Sequence, residues 1–142
     1  MTDTQSRVRH NWWAILVATA ACFVFEAVWY TVFMQAWLDG TGRPMDFFKH
    51  SGMNEYFPYA VAFIGTAIVA TGISCITQLT GPQTALRGVR VGAWLWFGFV
   101  LTTWSIEYAY EVRPLSLLGI NGGFWLLGMI LIGTIVGGWK KK

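Results

Sequence analysis

The chain has 142 residues, of which 55% are hydrophobic and only 12% charged, with a formal net charge of +3. A soluble domain carries about twice that share of charge, and the mean hydropathy of +0.48 points the same way, so an ordinary water-soluble globule is excluded. The ten Lys and Arg residues gather at segment ends rather than along one face, which excludes a nucleic-acid surface.

A helix needs about 20 mostly apolar residues to cross a bilayer. Residues 12–38 form the first such run, with Glu26 as its only charge. Ala18-Thr-Ala20 resembles a signal-peptide cleavage site, but the apolar stretch before it is only about six residues, shorter than such signals use. The run then continues, so it reads as an uncleaved helix. Residues 39–56 are the one sizeable polar excursion. They open on the turn chemistry of Asp39-Gly-Thr-Gly-Arg-Pro44, and Phe47, Phe48, Tyr56 and Phe57 suit them to the outer membrane interface. The second run, 57–79, is uncharged and ends at Thr80-Gly-Pro82. The third, 91–110, contains only Glu107, and the fourth, 115–139, contains no charge. Pro114 suits the first turn of the last helix, where its missing N–H removes no helical bond. The expected fold is a single all-α domain over 1–142, an integral membrane bundle of four transmembrane helices with an outer loop at 39–56.

Orientation follows from the basic residues. Arg7, Arg9, Arg87, Arg90, Lys140, Lys141 and Lys142 fall on one side, against Arg43, Lys49 and Arg113 on the other. The positive-inside rule puts both termini in the cytoplasm, with Trp12, Trp13 and Trp139 as an inner aromatic belt and Trp37, Tyr56, Tyr59 and Tyr110 near the outer surface.

Within lipid, small residues that let backbones approach drive helix packing. The first helix has Ala14, Ala18 and Cys22 at i+4 spacing, and the second has Ala62, Thr66, Ala70 and Ser74. The fourth has two Gly-xxx-Gly steps, Gly119 to Gly123 and Gly133 to Gly137. These stripes are the expected inward faces. Cys22 and Cys75 lie at different depths and read as unpaired packing residues.

Glu26 continues the first stripe and lies near mid-membrane, where carboxyls are costly and are functional candidates by default. Thr66 and Thr102 fall in the same layer, so Glu26, Thr66 and Thr102 form a candidate buried polar site. Its alternatives are tight packing with Glu26 hydrogen-bonded, a proton or ligand site, and an inter-subunit bond. Glu107, Glu111 and Arg113 form an expected outer-surface charge cluster that fixes the last turn. Asp46 and His50 stand four apart, but two candidate ligands do not make a metal site. His10 and His50 lie outside the spans, so no helix offers a usual haem or chlorophyll axial ligand. With no catalytic triad, phosphate loop or metal-spaced cysteine pair, we expect no enzyme and no cofactor.

Asn11-Trp-Trp-Ala-Ile-Leu-Val17, Val28-Trp-Tyr30 and Trp37 open a longer pattern. It continues in Trp96-Phe-Gly-Phe-Val100, Thr102-Thr103, Glu111-Val-Arg-Pro-Leu115, Ile120-Asn-Gly-Gly123 and Gly137-Gly-Trp139. In order and spacing this resembles the bacterial membrane family catalogued as domain of unknown function 1761. The resemblance covers the first helix and roughly residues 94–139, and is weak in the first loop and second helix. It implies a four-span membrane protein, supplies no activity or cofactor, and favours a structural role for Glu111 and Arg113. It departs at Glu26, where the family favours a small residue.

Three functions compete. The first is an accessory or structural subunit packing against a larger bacterial membrane complex of the respiratory or photosynthetic type. The second is a small oligomeric transporter or channel using Glu26. The third is a lipid or quinone-type binder. The first is favoured by small size, short loops and aromatic outward faces. The expected location is the bacterial cytoplasmic (inner) membrane, and the expected partners are the lipid bilayer with other membrane subunits or further copies of the chain.

Overall fold

The computed structural model describes residues 8–50 and 52–140, so Arg7, Lys141 and Lys142 of the basic pattern lie outside the described residues. All regular structure among them is helical: α1 (Trp12–Val32), α2 (Met34–Thr41), α3 (Phe47–His50), α4 (Phe57–Leu79), α5 (Ala85–Leu95), a π-helical turn (Trp96–Leu101), α6 (Thr102–Tyr110) and α7 (Leu115–Gly138). Four units are long and apolar enough to cross a membrane: α1, α4, the continuous segment Ala85–Tyr110, and α7. They are called spans 1 to 4 below. Helices satisfy every backbone polar group internally, which is what a chain of this composition requires in lipid.

The caps explain the boundaries. Asn11 closes the start of span 1, its side chain accepting from the Ala14 N–H at 3.3 Å. Thr84 does the same for span 3, accepting from the Arg87 N–H at 3.2 Å. Span 3 therefore starts at Ala85, six residues before the apolar run suggests. Arg87 and Arg90 occupy its first turns instead of the loop, because long arginine stems can lie along apolar surface while their heads reach water. Span 1 is shorter than the 12–38 run. The helix is interrupted at Phe33, and α2 carries the chain on to Gly42, whose φ of 65° closes it in a left-handed cap.

Span 4 is the centre of the bundle. It touches all three other spans, while no Cα of span 1 comes within 8 Å of span 3 among the described residues. The core lies along it, with Phe124, Met129, Ile132 and Val136 meeting Ile15, Ala18 and Cys22 of span 1 and Ala70 and Ile73 of span 2. The start of span 1 and the end of span 4 meet at one end of the bundle, where the Asn11 amide donates to the Trp139 carbonyl at 3.3 Å and Gln83 donates to that of Val136 at 2.6 Å.

The closest packing joins spans 3 and 4. A Cβ on Gly88 would sit 1.9 Å from the Gly133 carbonyl oxygen, and one on Gly133 would sit 2.2 Å from that of Gly88. Gly92 faces the Met129 carbonyl and Gly137 that of Thr84, each at 2.4 Å from the missing Cβ. The two helices thus cross backbone to backbone in antiparallel register over about two turns, which only glycine permits. The expected inward faces divide accordingly. Ala14, Ala18, Cys22, Thr66, Ala70, Ser74, Gly133 and Gly137 are buried, and Ala62 and Gly123 half-buried. Gly119 is exposed, with no atom within 4 Å of its missing Cβ. The first Gly-xxx-Gly step is therefore no seam, because Gly119 points away from every other span.

The two steps predict opposite outcomes. Gly88→Ala should lower stability by about 1–3 kcal/mol through overpacking, whereas Gly119→Ala should be neutral or slightly stabilising through helix propensity. Thermal unfolding of both variants in detergent checks this.

Candidate functional site

Asn121 of span 4 is a polar side chain within the bundle that links two other spans. The Tyr30 hydroxyl of span 1 donates to its Oδ1 at 2.9 Å, and its Nδ2 donates to the Tyr108 hydroxyl of span 3 at 2.7 Å. On either side, the Trp29 indole donates to the Ile120 carbonyl at 3.1 Å and the Trp96 indole to the Gly122 carbonyl at 2.8 Å. Three successive residues of span 4 therefore receive four side chains from two spans whose Cα atoms nowhere come within 8 Å of each other among the described residues. A Cβ on Gly123 would approach the Trp29 ring to 3.3 Å, so a small residue there lets the indole lie against the backbone. Phe124, almost fully buried, stacks with Phe25 at 5.8 Å and meets Tyr30 at 5.5 Å.

The π-turn aims Tyr108 at this hub. A uniform α-helix would place Tyr108 about 200° around the axis from Gly88, facing away from span 4. The extra residue taken up by one π-turn returns about 100° of that. Within the turn the Thr102 hydroxyl donates to the Phe97 carbonyl, five residues back, at 2.8 Å. Trp96-Phe-Gly-Phe-Val100 and Thr102-Thr103, part of the family-like pattern, coincide with this geometry.

The expected polar site of Glu26, Thr66 and Thr102 is not assembled. Thr102 is exposed, and span 3 does not reach span 1. Phe23 of span 1 meets Phe63 of span 2 edge-on at 5.7 Å. The spans run antiparallel, so Glu26 and Thr66, each three residues from that pair in opposite senses, end roughly 9 Å apart along the axis. Thr66 is buried. Glu26 is half-buried, one turn from Tyr30, and its carboxyl accepts no hydrogen bond among the described residues. With span 1 ending at Val32, Glu26 lies roughly 9 Å from its C-terminal end, farther from mid-span than the longer run implies.

The outer cluster forms in part. Arg113 pairs with Glu111 and lies over the Tyr108 ring at 5.5 Å. The turn between them holds Val112 at φ 53°, a conformation a β-branched residue rarely adopts, closed by Arg113 N–H donating to the Tyr108 carbonyl at 2.9 Å. The Glu107 side chain is exposed and joins no ion pair among the described residues. In the loop, the turn of α3 brings His50 Nδ1 to 3.6 Å from the Asp46 carboxylate, both exposed. Among the described residues no three His, Cys, Asp or Glu side chains converge as a metal site would need, and both cysteines are free.

Chemically the hub is a chain of neutral donors and acceptors. It can hold three spans in one register, while the amide between its two tyrosines offers no ready proton acceptor. Sequence reasoning passed over Asn121 because it sought charge in the fourth run, and an amide carries none. An Asn inside an apolar 24-residue helix is nonetheless a signal, since a polar group at that depth needs partners.

Asn121→Leu should remove two interhelical bonds worth about 0.6 kcal/mol each, up to about 1.7 kcal/mol, and Tyr30→Phe about half as much. Unfolding in mixed micelles measures both losses.

Comparison with curated proteins and with solved structures returned no match. The family described as "Protein of unknown function (DUF1761)" matches residues 13–137, which span all four membrane helices, the hub and the glycine seam. The chain therefore belongs to the DUF1761 family.

Proposed function

We propose that this protein is a non-enzymatic accessory subunit that packs against larger bacterial membrane complexes, of the respiratory or photosynthetic type, through span 3. The observation that carries this reading is the exposure of that span. Only 6% of its most apolar window is buried within the molecule, against 22%, 28% and 39% for spans 1, 2 and 4. Its uncovered face holds Trp94, Phe97, Ile106 and Tyr110, residue types that dominate the centres of protein interfaces. The π-turn and α6 rest on span 4 alone among the spans, so a partner helix can supply a second neighbour. The Thr102, Thr103 and Ser105 hydroxyls on this stretch are already bonded to backbone carbonyls.

The proposed setting is the cytoplasmic (inner) membrane with both termini inside. Support comes from the seven-to-three excess of Lys and Arg on the terminal side and from the contact that holds Asn11 against Trp139. A second reading, a small oligomeric transporter or channel, has one supporting observation, the unbonded half-buried carboxyl of Glu26. It predicts that Glu26→Gln abolishes a pH-dependent flux in liposomes.

Extraction of native membranes in mild detergent should return this protein with stoichiometric membrane partners. Replacing both Phe97 and Ile106 by Ala should cut that recovery about tenfold. Repeated isolation of the chain alone would count against the subunit reading.

A further inference from the structure

Spans 2 and 3 meet only near the turn that joins them. Among the described residues, no Cα of the π-turn or of α6 comes within 8 Å of α4. The divergence opens a groove of about 500 Å³ whose walls include Ile76, Thr80, Arg87, Arg90, Trp94 and Phe99. Through the shared Ile76, Leu95 and Phe99 it runs into a second hollow of about 210 Å³, floored by Met129 of span 4 and lined by apolar groups alone.

The two parts differ in chemistry. At the turn end, the Arg87 guanidinium donates to the Thr80 carbonyl and packs over Gly81. Arg90, one turn nearer the apolar hollow, is exposed and joins no ion pair among the described residues. No carboxylate lines either part. Two cations therefore stand at the mouth of an apolar channel, in the first turns of span 3.

We propose that this groove binds one anionic phospholipid, with its phosphate held by Arg87 and Arg90 and an acyl chain laid along Ile76, Leu95 and Phe99 toward Met129. Basic pockets between membrane helices recognise anionic headgroups by this charge pairing. Arginine suits a phosphate because its fork can donate two parallel bonds, and Arg87 is already fixed by Thr80, which lowers the ordering cost of binding. The occupant is a lipid and not a free phosphate because the apolar hollow continues directly from the charged mouth. A second protein helix would match the hollow but not the two uncompensated cations. The site borders the proposed docking face, sharing Trp94 with it, and does not depend on that reading.

Native mass spectrometry of the detergent-solubilised protein, titrated with phosphatidylglycerol or phosphatidylcholine, tests the assignment. With two arginines each contributing about fivefold, phosphatidylglycerol should bind roughly 25-fold more tightly. Arg90→Gln should weaken phosphatidylglycerol about fivefold and leave phosphatidylcholine unchanged. Gly72→Phe, at a position with no atom within 4 Å of its missing Cβ, should block the apolar hollow and weaken both lipids about tenfold while keeping their ratio. Arg113→Gln, at the opposite end, should change neither. Equal affinity for the two lipids would overturn the proposal, as would a loss on Arg113→Gln matching that on Arg90→Gln. Competition by glycerol phosphate as strong as that of the intact lipid would also overturn it, by showing an anion site without a chain-binding part.

Discussion

The arrangement of this bundle depends on the backbone contact between Gly88 and Gly133. In lipid there is little hydrophobic drive between helices, so association comes from van der Waals contact and from polar groups that find partners. Removing both Cβ atoms lets spans 3 and 4 lie against each other's carbonyls, and Gly92 and Gly137 extend the contact along the same antiparallel register. Dispersion gains are small per atom pair and large over such a surface. They hold a span that has few other contacts, since most of span 3 faces outward.

That seam sets the terms for the opposite end. Anchored at Gly88, a regular helix would carry Tyr108 away from span 4, and the π-turn rotates it back to Asn121. Tyr30 arrives at the same amide from span 1. Glycine contact at one end and a hydrogen-bonded hub toward the other thus fix span 4 as the axis of the molecule. The gap between spans 2 and 3 follows from the same geometry, because span 3 follows span 4 while span 2 leans toward span 1.

Much of this fold is legible in the sequence. Apolar runs and turn chemistry locate the four spans, and the second and fourth match to within one residue. The Ala14, Ala18 and Cys22 stripe is an inward face as its spacing implies. Hydropathy misplaces the start of span 3 because Arg87 and Arg90 lower the local average although Thr84 caps the helix before them. Spacing alone cannot separate the Gly119 step from the Gly133 step, since which face meets a neighbour depends on helix rotation. The polar layer of Glu26, Thr66 and Thr102 fails for a related reason. Depth counting places residues along the membrane normal and carries no information on which backbones run side by side, and those of spans 1 and 3 do not. Asn121 was visible as a residue, but its two tyrosine partners lie 91 and 13 positions away, and only the turned register of span 3 brings the second within reach.

These interactions leave span 4 as an axis with one lightly covered helix beside it, the exposure on which the proposed accessory role rests. Gly88 and Gly133 share one contact point, and a double-mutant cycle on unfolding in mixed micelles tests that contact. If the two backbones touch there, Gly88→Ala and Gly133→Ala each destabilise, and the double variant loses less than the sum of the two by about 1 kcal/mol or more, because the first methyl already separates the helices. Strictly additive losses, or two neutral single variants, would contradict the account.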